Sequence, residues 1–273
     1  MIPFTQKEKF DYDDLLRIIT LLRSPEGCPW DRVQTHTSIR RGMLEEAYEA
    51  CEAIDTDNPV SMQEELGDVL MQVVFHADIE KDAGRFTMDD VCDGVVKKLL
   101  YRHPHVFGNE TGVAAAEEVP VTWEALKRAE KGQASTADAM DSVARSLPGT
   151  WRAEKIQSKA AKDGFDFADL RGAMDKLHEE VGELDTAICE NSNIAEELGD
   201  VLFAAVKVCR FANIDPETAI HATCDKFIRR YRQMEHKISA KNTTISELSL
   251  DELVDLWDNS EDSWGESCFR GRD

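Results

Sequence analysis

The chain has 273 residues, 42% hydrophobic and 32% charged, with a formal net charge of −22 at pH 7; that length suits two domains of ordinary size. A surface this acidic repels phosphate backbones, which argues against a nucleic-acid partner and leaves either a solvated acidic face or acids gathered around divalent cations. Seven cysteines, with no Cys-x-x-Cys pair, argue against a disulfide framework or a zinc site, and the lack of a signal-peptide core or a membrane-length apolar run predicts a reduced, soluble, cytoplasmic protein with no membrane partner.

Apolar residues recur at helical spacing almost throughout and no run alternates as a strand would, so an all-α fold is expected. In chain order the pattern predicts helices at about 11–23, 38–56, 61–82, 88–102 and 122–132, then 151–162, 168–190, 193–212, 216–239 and 249–258. Asn58-Pro59 marks the turn before the third of these. Leu66, Val69, Leu70, Val73, Val74 and Ala77 form its apolar stripe. In "YRHPHVFG", Pro104 breaks the helical phase of His103 and His105, which favours a turn over a metal site. "GNETGVAAAEEVP" and "EKGQASTADAMDS" are small and weakly patterned, as connections are. Leu198, Val201, Leu202, Ala205, Val206 and Cys209 form a second stripe. Asp215-Pro216-Glu217 reads as an N-cap, a first-turn proline and a first-turn acid.

An internal repeat dominates the chain. Glu45-Glu46-x-x-Glu49 leads to Glu65-x-x-Asp68, then to a helix with Lys98 and Arg102, and on to Trp123. Glu179-Glu180-x-x-Glu183 leads to Glu197-x-x-Asp200, then to a helix with Lys226 and Arg230, and on to Trp257. The order recurs over a period much longer than a solenoid repeat, so duplication of a helical domain is expected. The expected boundaries are an amino-terminal domain at 1–132, a linker at 133–148 and a carboxy-terminal domain at 149–273.

Residues three apart on a helix share a face. Glu180 and Glu183 therefore pair, as do Glu197 and Asp200, and antiparallel helices joined by "ENSN" can bring the two pairs together. Such crowded carboxylates hold protons or admit a cation. Oxygen-only ligation selects a hard ion, Mg²⁺ or Mn²⁺ before Zn²⁺, and Mg²⁺ leaves coordination positions to substrate phosphates. Lys226 and Arg230, four apart, complete a polyphosphate clamp. Each feature alone is ordinary: Glu-x-x-Glu usually faces solvent, a tryptophan usually packs, and Glu45 and Glu179 can simply be exposed. His178 is out of phase with the acids. The joint, ordered recurrence is what points to a site.

These motifs resemble those of MazG-type nucleoside triphosphate pyrophosphohydrolases, an all-α superfamily. "GCPWDRVQTHTSI", "LEEAYEACEAID", "EELGDVLMQVVFHA", "RHPHVFG" and "VTWEALKRAEK" are similar to its amino-terminal unit. "RAEKIQSKAAKDGFDF", "EELGDVLFA" and "DKFIRRYRQME" are similar to its carboxy-terminal one. The resemblance implies two tandem helical bundles and Mg²⁺-dependent hydrolysis of nucleoside triphosphates to monophosphate and pyrophosphate, with Mn²⁺ able to substitute. House-cleaning or control of nucleotide pools would follow. It implies a homodimer, a carboxy-terminal unit carrying most activity, and an amino-terminal unit supporting assembly.

By the same resemblance, Glu180, Glu183, Glu197 and Asp200 are the metal ligands; Glu179, the unliganded carboxylate beside them, is the candidate general base on chemical grounds. Lys176, Asn193, Glu196, Lys226, Arg230 and Trp257 contact the nucleotide, although related chains often carry Lys at the position of Asn193. Glu46, Glu49, Glu65 and Asp68 form a second metal site without a complete nucleotide pocket. A metal- and nucleotide-binding regulatory module without turnover stays open as the alternative. A di-iron carboxylate bundle does not fit, because neither quartet supplies Glu-x-x-His pairs.

Overall fold

The structure is a computed structural model that describes residues 2, 4–108, 126–127, 130, 132–241 and 243–260. Among them every regular element is helical. The chain forms two compact units, Met1–Lys127 and Arg128–Asp273.

In the first unit, α1 (Tyr12–Arg23), α2 (Pro29–Arg32), α3 (His36–Asp55), α4 (Pro59–Asp82), α5 (Met88–Arg102) and α6 (Pro104–Phe107) follow in order. Side chains that satisfy free backbone N–H groups set the starts: Asp11 caps α1, Thr35 caps α3 and Thr87 caps α5, each in a reciprocal capping box. At the turn expected at Asn58-Pro59, the Asn58 side chain accepts from the amides of Val60 and Ser61 and caps α4. Asp57, at φ 51°, turns the chain so that α3 and α4 pack as a hairpin. Ile19, Ile39, Val74 and Phe75 form the core where α1 crosses this hairpin.

Two polar networks tie distant segments together. Arg23 and Asp78 form a buried ion pair at 2.9 Å, and Thr20 donates to the same carboxylate at 2.6 Å. Glu80 is held by Arg85 and by His36, whose Nδ1 lies 2.6 Å from that of His76.

In the second unit, α7 (Thr136–Asp141) stands within the stretch read as a linker, and its Ala139 is wholly buried. Then come α8 (Gly149–Lys162), α9 (Leu170–Glu190), α10 (Ile194–Phe211), α11 (Pro216–Ala240), a 3₁₀ turn (Ile245–Glu247) and α12 (Leu250–Asp258). Asn191 and Asn193 take left-handed conformations, φ 52° and 49°, that asparagine tolerates better than most residues. They reverse the chain between α9 and α10, which form this unit's main packed pair. Gln157 on α8, almost fully buried, donates to the carbonyl of Phe203 at 2.8 Å and fixes α8 to α10. Asp215 caps α11 as expected, accepting from Thr218 at 2.7 Å.

The two apolar stripes do not form continuous cores. Val74 and Ala77 are buried, yet Leu66 is 54% exposed. On α10, Ala204 and Val206 are buried, yet Leu202 is 61% exposed. Helical period groups such residues on one face, but within a single chain the neighbouring helices cover only part of it. His103 caps α5 and bonds the Leu99 carbonyl at 2.7 Å, as a turn residue would. Trp123 and most of the helix expected at 122–132 lie outside the described residues.

Candidate functional site

The α9–α10 hairpin determines the geometry of the carboxy-terminal acids. Glu180 and Glu183 stand one turn apart on α9. Glu197 lies in the first turn of α10, where the carbonyl of Asn193 accepts from the amides of Glu196 and Glu197 at 2.9 and 3.1 Å. Asn193 thus anchors the backbone that carries Glu197. One carboxylate oxygen from each of Glu180, Glu183 and Glu197 lies within 4.8 Å of the others. Glu180 is buried, Glu197 half-buried and Glu183 exposed. Asp200, one turn further along α10, is exposed and stands outside this trio; Glu196 is exposed too.

Electrostatics match the crowding. Partial burial, then the neighbouring Glu180, pushes the Glu183 carboxyl above its ordinary value. Lys176 lies 2.8 Å from both Glu179 and Glu180, and hydrogen bonds to those carboxylates raise its own pKa. An ammonium thus sits at the edge of the cluster, on a residue to which the resemblance gives a nucleotide contact.

The amino-terminal hairpin repeats the arrangement. Oxygens of Glu46, Glu49 and Glu65 lie within 4.8 Å of one another. Burial, followed by Asp68 and Glu49, raises the Glu46 carboxyl, and burial, followed by Glu49, raises that of Glu65. Asp68 also acts on Glu65, so all four predicted acids of this quartet influence one another. Glu45 points elsewhere and pairs with Arg41 at 2.7 Å.

The basic and aromatic residues form a separate constellation. Arg230 donates to the Trp257 carbonyl at 3.0 Å, and its guanidinium carbon lies 4.3 Å from the indole centre. Phe227 packs on the same indole at 4.8 Å. Lys226 is exposed on α11. The structure therefore joins Arg230 to Trp257 and Lys176 to the acids, with no hydrogen bond or ion pair between the two groups among the described residues. His178 is exposed and outside the acid trio, as its phase predicts.

Sequence reasoning missed Gln72. Its side chain reaches across the hairpin, and its amide nitrogen lies 2.9 Å from where a Cβ on Gly42 would stand. The signal was available, because the corresponding residue of the second unit, read by aligning "EELGD" with "EELGD", is Ala204.

Each trio offers oxygen donors only, on two helices, with at least one carboxyl raised by burial and then by its acidic neighbours. That donor set fits a hard divalent cation, whose charge would relieve the repulsion. In comparison with known proteins, the MazG nucleotide pyrophosphohydrolase domain matches residues 34–107 and 170–234, stretches that hold both trios. The chain is 41% identical over 249 residues to the nucleoside triphosphate pyrophosphohydrolase/pyrophosphatase MazG of Thermotoga maritima, covering 91% of this chain and 95% of that one. It is 38% identical over 250 residues to the nucleoside triphosphate pyrophosphohydrolase of Escherichia coli, covering 90% and 95%. It is also 42% identical over 268 residues to the uncharacterized protein YabN of Bacillus subtilis, of which it spans 54%.

Proposed function

The chain belongs to the MazG nucleotide pyrophosphohydrolase family, and from that premise we propose that it hydrolyses nucleoside triphosphates to monophosphates and pyrophosphate at its carboxy-terminal acids, in the control of nucleotide pools. The observation that carries this reading is the convergence of Glu180, Glu183 and Glu197 within 4.8 Å beside the ammonium of Lys176.

Glu180, Glu183, Glu197 and Asp200 would hold Mg²⁺, or Mn²⁺ in its place, which supplies charge neutralisation and Lewis acidity toward the phosphates when bound. Lys176 then exchanges its carboxylate partners for a phosphate oxygen. Lys226 and Arg230 oppose the charge that gathers on the leaving group. Trp257 offers an indole to the base, a contact that tolerates different bases. Glu179, released by Lys176, accepts a proton from the attacking water. The water oxygen bonds to the α-phosphorus, the bridging α–β bond breaks, and pyrophosphate leaves with its electron pair.

The amino-terminal acids are a second cation site by the same donor logic, in a unit that serves assembly. Leu66 and Leu202, more than half exposed on the two hairpins, support a homodimer that covers them. Leu202→Asp should shift the sedimenting species toward monomer if it does.

Chromatographic identification of the products tests the reaction. Pyrophosphate and monophosphate are expected, and Glu180→Gln should abolish both. Release of orthophosphate and diphosphate would overturn the assignment of the attacked phosphorus.

A further inference from the structure

His36, at the start of α3, meets His76 of α4, and neither belongs to the acid trio of that hairpin. Their Nδ1 atoms lie 2.6 Å apart, while the ring centres are 4.9 Å apart and the planes 9° from parallel. Centres so much further apart than the nitrogens mean that the rings meet edge to edge, each Nδ1 aimed at the other. Two nitrogens on one divalent cation stand about 3 Å apart or more and aim at a point off the line between them. The pair therefore fits a proton in one N–H···N bond, not a metal.

Glu80 decides how that proton is held. Arg85 binds Glu80 at 2.6 Å and keeps it an anion, so its carboxylate only accepts. It accepts from His36 Nε2, which must carry a hydrogen. One proton added to the pair then settles on His36, beside the anion, and the new Nδ1–H donates to the bare Nδ1 of His76. A second proton finds no lone pair between the rings. Two cations would face each other there, N–H against N–H. His36 keeps Glu80 in that event, whereas half-buried His76 has no other hydrogen bond among the described residues. Nearby charges on the other helices are committed elsewhere: Arg23 of α1 to Asp78 and Asp82, Arg32 of α2 to the Pro25 carbonyl, Asp90 of α5 to Thr87.

We infer that the two histidines form an acid-operated switch: the rings stay in contact while they share one proton, and a second proton expels His76 from the hairpin while Glu80 retains His36. Burial, then His36, push His76 below its ordinary value of 6.5, a value that the expelled ring regains. The open form thus binds more protons than the closed one as pH falls. Closure is complete above 6.5 and is lost as pH falls through the lowered value of His76. The second unit has no counterpart: aligning Glu46 with Glu180 puts Leu170 in the place of His36, and aligning the two EELGD runs puts Val208 in that of His76.

NMR of the full chain labelled with ¹⁵N-histidine, titrated from about pH 8 to about pH 4.5, reads both rings, with H36Q and H76Q chains giving the assignments. Once one proton is taken up, His36 should show both nitrogens protonated and His76 its Nε2–H tautomer. His76 should gain its own proton at least about one pH unit below the ordinary 6.5. The cross-peak between the two rings should vanish in step with that second proton. In the H36Q chain His76 should titrate closer to its ordinary value; if that chain does not fold, the parent's titration and cross-peak decide alone. Two rings that titrate independently near the ordinary value would overturn the inference, as would a cross-peak that outlasts protonation of His76.

Discussion

The ammonium of Lys176 lies 2.8 Å from the carboxylate of Glu180, one helical turn away on the same face of α9. It is the only fixed positive charge in hydrogen-bond contact with the carboxy-terminal acids among the described residues. In the metal-free protein it partly neutralises a buried acid, and it competes with any cation for that acid.

Replacing it should therefore split two measurements. Lys176→Gln is expected to lower kcat/KM by about ten- to a hundredfold, through loss of a charged phosphate contact. The same variant should bind Mn²⁺ without nucleotide more tightly than the parent in an electron-spin-resonance titration. A parallel fall in both would mean that Lys176 only holds the acids in place.

Acidity should weaken cation binding at both trios. Glu183, Glu46 and Glu65 have carboxyls raised above the ordinary value of 4.5. The folded chain thus holds protons there that the unfolded chain has lost, in the window just above that value. Without metal, these groups gain stability as pH falls through the window. With metal, protons compete for the same oxygens, so Mn²⁺ affinity should fall between about pH 8 and about pH 5. Calorimetry at several pH values checks this, and a flat affinity would contradict it.

Glu80 behaves in the opposite sense. The hydrogen bonds of Arg85 and then His36 hold its carboxyl down to about 2. Its contribution to stability is complete above the ordinary value of 4.5 and is lost as pH falls through about 2. Glu80→Gln should lower the melting temperature at neutral pH and leave little difference in strong acid, a contrast that thermal denaturation at both ends reads directly.

The buried Arg23–Asp78 pair belongs to the first unit and takes no part in either trio. Arg23→Met leaves Asp78 buried with the Thr20 hydroxyl and only a loose ion pair to Lys81, at 3.8 Å. A loss of about 3 kcal/mol in urea unfolding is expected, because one partner of a buried pair is left with weaker compensation. Joint replacement of both residues by apolar side chains should recover much of it.

Trp257 holds Arg230 by its carbonyl and by its ring. Trp257→Ala should raise KM for all nucleoside triphosphates by a similar factor, about three- to tenfold, because a stacking surface and the seat of Arg230 are lost together. Trp257→Phe should recover most of the affinity. A change confined to one base would argue against stacking.

Much of this was legible one residue at a time. Helical period located every long helix of the described residues to within a few positions, Asp215 marked its helix start through backbone capping, and Asn58-Pro59 marked the turn ahead of α4. The recurrence of Glu-x-x-Glu and Glu-x-x-Asp named the three glutamates that converge in each hairpin, together with an aspartate that does not join them. These signals are local, since a helix face and a cap are fixed within one or two turns of chain.

The contacts between helices depend on how those helices cross. Register across the α9–α10 hairpin brings Glu197 to Glu180 and Glu183 while Asp200 stays outside the trio. Burial of Leu66 and Leu202 failed because period groups apolar residues without specifying what covers them. Gln72 over Gly42, and Arg230 against Trp257, are contacts between different helices. Their geometry is set by packing distances of a few ångströms, which no spacing along a single helix encodes.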